Sequence, residues 1–335
     1  MRENELLQHI YERSAGVSSR DGGSSAVVVG PGDDCAVLRL ATVDLLVTTD
    51  QLIAGRHYDP AAPAELVGHK AMARAISDIA AMAGTPIGAV VAAALPAGFA
   101  GADELFDAVH KAAAALACPV VGGDIASLGD AEPSGHGPAA ALTVTVLGRA
   151  HASRGPVLRS TAAAGEALWV SGELGGAWRV DREAETGEGD GKTGVDACWG
   201  AKQYRFVPRV GLGVALADAL GERLRSMIDL SDGLGVDAGR VARASGVRMR
   251  IDAAALPIAA AAGGDWRRAL GDGEDYELAF TAPDDAAARA AIERVAASRG
   301  VALTRVGSVL AGEGCAVRTP EGETLDAGEL GWEHA

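Results

Sequence analysis

Acidic residues stand at the ends of apolar runs in six segments of this sequence, each in a polar or glycine-rich setting. The segments are VGPGDDCAVL with Asp33 and Asp34, LLVTTDQL with Asp50, ARAISDIAAM with Asp78, VVGGD with Asp124, SMIDLSDGL with Asp229 and Asp232, and LGDGEDYELAF with Asp272, Glu274, Asp275 and Glu277. A carboxylate at the mouth of an apolar core is costly unless it is paired or binds a metal ion. The pattern therefore predicts acids gathered around cations.

The donor types indicate which cation. Thr48 and Thr49 stand beside Asp50, so the candidate ligands are carboxylate and hydroxyl oxygens. Hard cations prefer such oxygens, and Mg²⁺ in particular is held jointly by a few carboxylates and by the phosphates of a substrate. A structural Ca²⁺ site is disfavoured because the sequence has no DxDxDG loop with a glutamate at the twelfth position. The residues alone predict a metal site that binds the phosphates of a substrate.

Each acid also has a structural interpretation that stays open for the single residue. Asp33 and Asp34 are typical of a turn, Asp78 is spaced to pair with Arg74 one helical turn earlier, and Asp232 is placed to cap a following helix. Taken together, however, these motifs carry more acids than basic partners. That imbalance favours the metal interpretation.

Composition limits the class of protein. The formal charge of −15 argues against a nucleic-acid partner, because phosphate-backbone binding relies on clustered lysine and arginine. If the ligand is a phosphate compound, bound metal must supply the cations. The cysteines at 35, 118, 198 and 315 form no CxxC pair, so we expect neither a zinc site nor a disulfide framework. The charged N-terminal segment predicts an amphipathic helix and no signal peptide, hence a cytoplasmic protein.

The elements that must position the acids form two mixed units, divided near residue 150. Helices are predicted over 66–83, 102–116, 208–220, 233–244 and 283–297, and strands over 26–30, 44–49, 87–95, 119–121, 140–148, 167–170, 226–230, 247–251, 276–281 and 302–310. The uncharged stretch 79–102 is nearly long enough for a membrane span, but its glycines and prolines divide it into a helix end, a strand and a turn. The segment 182–196 is predicted to be a mobile surface loop.

The motifs resemble one family closely. GPGDDCAVL, VTTDQLIAGRHYD, GHKAMARAISDIAAMAGTP, VVGGDIAS, LRSTAAAGEALWVSGELGGA, MIDLSDGLGVD and GDGEDYELAF occur in the order and spacing of thiamine-monophosphate kinases, within the superfamily of aminoimidazole ribonucleotide synthetase. The resemblance implies an α+β fold of two αβ domains. Residues 1–150 would carry the metal and nucleotide site and would pair through their strands into a homodimer, and residues 151–335 would form the second domain.

The same resemblance implies transfer of the γ-phosphoryl group of ATP to thiamine monophosphate, with ATP as co-substrate and several Mg²⁺ ions as cofactors. The implied magnesium ligands are Asp34, Thr48, Thr49, Asp50, Asp78, Asp124, Asp229 and Asp232, of which Asp50, Asp124 and Asp232 are the implied catalytic residues. The implied nucleotide contacts are Gly123, Asp124, Arg159 and Ser231. The implied thiamine-side contacts are His57, Glu274 and Trp332. In this interpretation, the glycines of VVGGD form a bend that lets the backbone approach the nucleotide.

The chain departs from the family pattern in two places. GGDIAS stands where the family often has GGDTTRG, and GELGGA lacks the acid of GTLGDSA. Two alternatives therefore stay open: another ATP-dependent enzyme of the superfamily that acts on a small amide or carbamoyl acceptor, or a non-catalytic homologue that binds nucleotide and metal. GEDYEL argues against the first of these, and the retained metal acids argue against the second.

Overall fold

The structure, a computed structural model, describes residues 10, 12–14, 26–129, 139–177 and 202–330. Within these residues the strands form two mixed sheets with helices packed against them, which confirms the predicted α+β class. The 182–196 loop, Trp332 and most of the predicted N-terminal helix lie outside the described residues.

The first sheet has the strand order β1-β2-β3-β6-β4-β5. Its strands are β1 (Val27–Val29), β2 (Ala36–Leu40), β3 (Val43–Ile53), β4 (Thr85–Leu95), β5 (Val120–Ser127) and β6 (Ala141–Arg149). The pairing of β4 with β5 is parallel and the other pairings in this sheet are antiparallel. Helices α1 (Ala64–Ala81) and α2 (Ala102–Ala115) pack against each other and contribute to the core that includes Leu46, Val91 and Val144.

The second sheet has the strand order β13-β12-β9-β11-β7-β10-β8, with β12 parallel to β9. Its strands are β7 (Glu166–Ser171), β8 (Met227–Asp229), β9 (Arg248–Asp252), β10 (Leu278–Pro283), β11 (Leu303–Leu310), β12 (Gly314–Arg318) and β13 (Thr324–Asp326). The helices of this half are α3 (Lys202–Arg205), α4 (Val210–Leu220), α5 (Leu234–Ser245), α6 (Trp266–Gly271) and α7 (Ala286–Arg299).

Helix α1 contacts both halves. It packs against β3 and β6 of the first sheet, and also against α3, α4 and β8 of the second half. The approach of α4 is close enough to require a glycine, because a Cβ on Gly213 would lie 2.5 Å from the carbonyl oxygen of Ala80. Helix α1 therefore brings its own polar residues next to the ends of strands from both sheets.

The predicted helices and strands are largely confirmed, with shifted ends. The uncharged stretch divides as predicted, because α1 ends at Ala81, β4 follows and α2 begins at Ala102. No helix in the described residues is long and apolar enough to cross a membrane. The predicted bend at VVGGD is wrong: β5 runs through both glycines and continues to Ser127 as the edge strand of its sheet.

Candidate active site

Three carboxylates meet where α1 passes between the sheets. Asp34 precedes β2, Asp78 lies on α1, and Asp229 ends β8. Their nearest oxygens all lie within 4.8 Å of one another, which is close enough to share one metal ion. Asp34 and Asp229 are buried and Asp78 is half-buried. We call Asp34, Asp78 and Asp229 the carboxylate cluster.

Hydroxyl groups hold two members of the carboxylate cluster in place. Thr48 on β3 donates to Oδ2 of Asp78 at 2.5 Å, and Ser77 donates to Oδ2 of Asp229 at 2.6 Å. Burial, reinforced by the neighbouring acids, raises the pKa of Asp78 and of Asp229 well above the ordinary aspartate value. An oxygen-only donor set with this excess of negative charge fits a hard divalent cation such as Mg²⁺.

Arg159 supplies a positive charge to the carboxylate cluster. Its guanidinium forks onto Asp34, with Nη2 2.5 Å from Oδ1 and Nε 3.1 Å from Oδ2. Its backbone N–H donates to Oδ2 of Asp33 at 3.1 Å. Burial and the charge of Asp34 raise the pKa of Asp33 to about 7. Arg159, the predicted nucleotide contact, therefore lies at the carboxylate cluster.

Asp50 and Asp232 lie beside the cluster and face separate arginines. Asp50, whose side chain is 28% exposed, lies 3.8 Å from Nη2 of Arg74. Burial raises the pKa of Asp50, the charge of Arg74 opposes the rise, and the charge of Asp232 adds to it. Asp232 accepts from Nη1 of Arg240 at 2.6 Å and from the hydroxyl of Ser231 at 3.3 Å. The structure thus brings Asp50, Ser231 and Asp232 to one region.

Two of the structural interpretations left open by the sequence are not observed. Helix α5 has Gly233 at its N-cap position, so Asp232 does not occupy the capping position there and binds an arginine instead. The ion pair of Arg74 is with Asp50, whereas Asp78 accepts from Thr48.

Thr49 and Asp124 lie apart from the carboxylate cluster. Successive side chains of a strand point to opposite faces, and Thr49 shares a hydrogen bond of 3.0 Å with Thr145 on the face opposite to Thr48. Asp124 is exposed on β5, which β6 and β4 separate from β3. Three strand spacings amount to about 14 Å. Within the described part of the chain, the sheet therefore does not bring Asp124 to the cluster.

The glycines of VVGGD have a packing role that differs from the predicted one. A Cβ on Gly123 would lie 1.9 Å from the carbonyl oxygen of Val91 on β4, whereas one on Gly122 would meet its nearest atom, a methyl of Val90, at 3.9 Å. The requirement for glycine at 123 therefore comes from the neighbouring strand. The expected explanation, close approach of a nucleotide, is not needed to account for it.

The predicted thiamine-side residues His57 and Glu274 are joined by Lys70, which was not among the predicted site residues. Lys70 donates to the carbonyl oxygen of His57 at 2.6 Å and to Oε2 of Glu274 at 2.9 Å. Nδ1 of His57 accepts from the backbone N–H of Ile53 at 3.0 Å. The third predicted thiamine-side residue, Trp332, lies outside the described residues.

The remaining acids of GEDYEL bind within the protein. Asp275 accepts from the backbone N–H of Gly175 at 2.9 Å and from Nζ of Lys202 at 2.7 Å. Glu277 accepts a forked pair from Arg209, with Nε at 2.7 Å and Nη2 at 2.5 Å. These contacts tie the start of β10 to the neighbouring helices α3 and α4, so Asp275 and Glu277 support the loop that presents Glu274.

Comparisons with known proteins cover almost all of the chain. Residues 32–150 match the profile of the AIR synthase related protein, N-terminal domain, and residues 163–319 match that of the C-terminal domain. Thiamine-monophosphate kinase of Escherichia coli K12 is 34% identical over 319 residues, which are 90% of this chain and 90% of that protein. The Mycobacterium tuberculosis H37Rv enzyme of the same name is 34% identical over 268 residues, 76% of this chain and 74% of its own length.

A solved structure described as "AaThiL complexed with AMPPCP and TMP" superposes on this fold with a TM-score of 0.77 and 26% sequence identity. The superposition covers 100% of this chain and 97% of the other.

Proposed function

Since the chain belongs to the thiamine-monophosphate kinase family of AIR synthase related proteins, we propose that it transfers the γ-phosphoryl group of ATP to the phosphate of thiamine monophosphate. The products are thiamine diphosphate and ADP. The observation that carries the proposal is the convergence of the carboxylate cluster with Arg159. The similar structure in complex with AMPPCP, an ATP analogue, and TMP supports the same pair of substrates.

The carboxylate cluster is the proposed site for Mg²⁺, with Thr48 beside it. Asp50 and Asp232, which are close enough for their charges to interact, are the candidates for further ions. Bound Mg²⁺ would neutralise charge on the phosphates of the nucleotide and of the acceptor. The chain's contribution is to hold the carboxylates of α1 and β8 in one place before substrate arrives.

The proposed reaction requires the protein to position two polyanions, and it does not require a strong base. The attacking group is a phosphate oxygen that is already ionised at neutral pH, and phosphoryl transfer depends mainly on alignment and charge neutralisation. Arg159 suits this task because a guanidinium can fork onto two phosphate oxygens. Ser231, next to Asp232, is the proposed contact to the nucleotide in the second half.

Recognition of the thiamine end is assigned to His57, Glu274 and Trp332. Glu274 lies in the loop before β10, and its side chain is 11% exposed. Its carboxylate complements the positive charge of a thiazolium ring. An aromatic face at Trp332 would stack on the same ring or on the pyrimidine.

We also propose that the protein is a homodimer formed through β5. The edge of β5 is unpaired in the described sheet, and its side chains Val121 and Ile125 are 66% and 65% exposed. Large apolar side chains on an open strand edge are typical of a surface that pairs with another chain. Asp124 lies on this strand, so its proposed metal role would be met at the dimer interface. The cytoplasm remains the predicted location.

The test is to incubate purified protein with ATP, Mg²⁺ and thiamine monophosphate and to separate the products by chromatography. Thiamine diphosphate and ADP should form in equal amounts, and Asp229→Asn should abolish both. The substitution Arg39→Ala, in an exposed ion pair with Asp44, serves as the control and should leave the rate unchanged. ATP binding without any thiamine diphosphate would favour the non-catalytic alternative. ADP formation that depends on an amide or carbamoyl acceptor would favour the other branch of the superfamily.

A further inference from the structure

A fully buried lysine bridges the two halves of the chain at the predicted thiamine end. Lys70 lies on α1 and is 0% exposed. Its ammonium group donates to the backbone of His57 in the first half and to the side chain of Glu274 in the second half. These two acceptors belong to the residues assigned above to substrate recognition, although they are 217 residues apart in the sequence.

The surroundings of Lys70 hold its ammonium group in one position. The ring of Tyr204 on α3 lies 5.1 Å from Nζ, within the range of a cation–π interaction. The hydroxyl oxygen of Tyr204 accepts from the backbone N–H of Asp59 at 3.0 Å. A buried charge is tolerated only when such partners are in place. Lys70 and Tyr204 therefore fix the turn that carries His57 from two sides.

The backbone of Glu274, the partner of Lys70, is also fixed by its surroundings. Its φ of +53° lies in the left-handed region, which a glutamate adopts only where its surroundings impose it. Its backbone N–H donates to the carbonyl oxygen of Ser231 at 2.7 Å. The backbone of Glu274 is thus anchored to the proposed nucleotide contact, and its side chain is anchored to Lys70.

We propose that Lys70 is a positioning residue for the thiamine end of the acceptor, an inference that rests on the proposed kinase function. Lys70 is sealed from solvent, so it acts through Glu274 and the His57 turn without touching substrate. It holds the carboxylate of Glu274 where the cationic ring of thiamine monophosphate meets it. Loss of the ammonium group releases that carboxylate and the turn together, and this weakens acceptor binding far more than ATP binding.

The test compares Lys70→Met with a matched control, Lys111→Met, which removes an exposed lysine paired with Glu65. Lys70→Met should raise KM for thiamine monophosphate about 10- to 100-fold, the scale of a lost hydrogen bond to a charged group, while KM for ATP changes less than about threefold. Lys111→Met should alter neither constant. Lys70→Arg should recover part of the loss, because it keeps the charge but not the compact geometry.

A double substitution separates positioning from simple support of the fold. If Lys70 acts through Glu274, the effects of Lys70→Met and Glu274→Gln on KM for thiamine monophosphate should fall well short of additive. A purely structural lysine would reduce the yield of folded protein and leave both KM values of the folded fraction unchanged, which overturns the proposal.

Two further outcomes are decisive. Should Lys70→Met fail to fold, Lys70→Gln, which keeps a hydrogen-bond donor but removes the charge, takes its place, and an unchanged KM for thiamine monophosphate in that variant overturns the proposal equally. Unaltered protein is assayed first. If it neither binds nor phosphorylates thiamine monophosphate, the proposed function itself fails, and this result is distinct from a Lys70 variant that behaves like an active parent.

Discussion

The guanidinium of Arg159 donates two hydrogen bonds, 2.5 and 3.1 Å long, to the carboxylate of Asp34. Asp34 is also a member of the carboxylate cluster, in which oxygens of Asp78 and Asp229 lie within 4.8 Å. If the proposed divalent cation binds the carboxylate cluster, it would compete with Arg159 for Asp34, and phosphate oxygens of a bound nucleotide would relieve this competition by binding Arg159 instead. Nucleotide and metal binding should be coupled through this one side chain.

Substitution Arg159→Ala should move two binding constants in opposite directions. Without nucleotide, Mg²⁺ should bind about tenfold more tightly, because the substitution removes a positive charge beside Asp34. A neighbouring charge of this kind shifts the pKa of a carboxylate by about one unit, and one unit corresponds to a tenfold change in affinity. KM for ATP should rise, because the guanidinium is no longer available to the phosphates. Calorimetric titration with Mg²⁺ and steady-state kinetics measure the two effects. If the affinities for Mg²⁺ and for ATP both decrease, Arg159 and the metal ion do not compete for Asp34.

Asp124 should matter for turnover and not for folding. Within the single chain its side chain is exposed on the edge strand β5, so the fold of each subunit should change in stability by less than about 0.5 kcal/mol, as is usual for surface substitutions. Asp124→Asn should nevertheless lower kcat by at least ~100-fold, the effect of losing one preorganised charge-stabilising group. Urea denaturation and the kinase assay are run on the same preparation. Full activity in this variant would remove Asp124 from the proposed site.

Adjacent glycines of β5 should respond very differently to alanine. Gly123→Ala places a Cβ where the carbonyl oxygen of Val91 lies, at 1.9 Å, whereas Gly122→Ala meets only a methyl group at 3.9 Å. We expect Gly123→Ala to reduce the free energy of unfolding by at least about 2 kcal/mol, as overpacking does. Gly122→Ala should cost far less. Equal losses in denaturant titrations would contradict the strand-packing explanation.

The proposed dimer should dissociate when charge is placed on its edge strand. Ile125 is 65% exposed on β5, and Val207, 59% exposed in the second half, provides a matched control. Ile125→Asp should yield a monomer in light scattering because an aspartate carboxylate would be desolvated at the interface. Val207→Asp should leave the mass unchanged. A dimer that survives Ile125→Asp would place the interface elsewhere.

Asp275 should make the protein less stable as the pH rises from 4 to 7. Burial raises its pKa to about 6 from an ordinary 3.8, with the charge of Lys202 opposing the rise. A carboxyl whose folded pKa is raised binds its proton more tightly in the folded state. Its contribution to stability is therefore complete below about pH 4 and is lost as the pH passes through 6.

The matched variant is Asp275→Asn, which keeps an acceptor for the N–H of Gly175. The stability of the parent relative to this variant should decline by roughly 3 kcal/mol between pH 4 and 7, the equivalent of about two pKa units. Urea denaturation at several pH values measures the decline. Parallel pH profiles for the two proteins would show that Asp275 does not titrate in this range.

Periodicity and composition predict the long elements of the fold well, and they predict the short elements only in part. Helix α1 and strand β4 lie within a few residues of their predicted ranges because their apolar patterns are long. Among the short strands, β1, β8 and β9 coincide with predicted strands, whereas β2, β12 and β13 were not predicted, because runs of three to five residues often carry too little pattern to stand out. β5 was predicted too short because its glycines disfavour a strand locally, and pairing with β4 overrides that preference.

In the candidate site, too, the features that depend on local sequence were predictable, and the contacts between distant residues were not. Apolar runs that end in acids correctly indicated the approach of Asp34, Asp78 and Asp229, since core-forming strands and helices converge. The fork of Arg159 onto Asp34 was not predictable, because it joins residues 125 positions apart. The sequence does contain one sign of Lys70: Lys70, Arg74 and Asp78 recur every fourth residue, which places three charged side chains along one side of a mostly apolar helix.

Because helix α1 packs against both halves of the chain, we expect the two halves to unfold as one cooperative unit. Ala80 and Ala83 share an apolar cluster with Leu212 and Leu216 of α4, and Gly213 brings the two helices into backbone contact. A chain cut near residue 150 would leave that surface in water. The two halves are separate in the sequence, but we expect each to depend on the other for folding, because unfolding one half would expose apolar surface of the other to water.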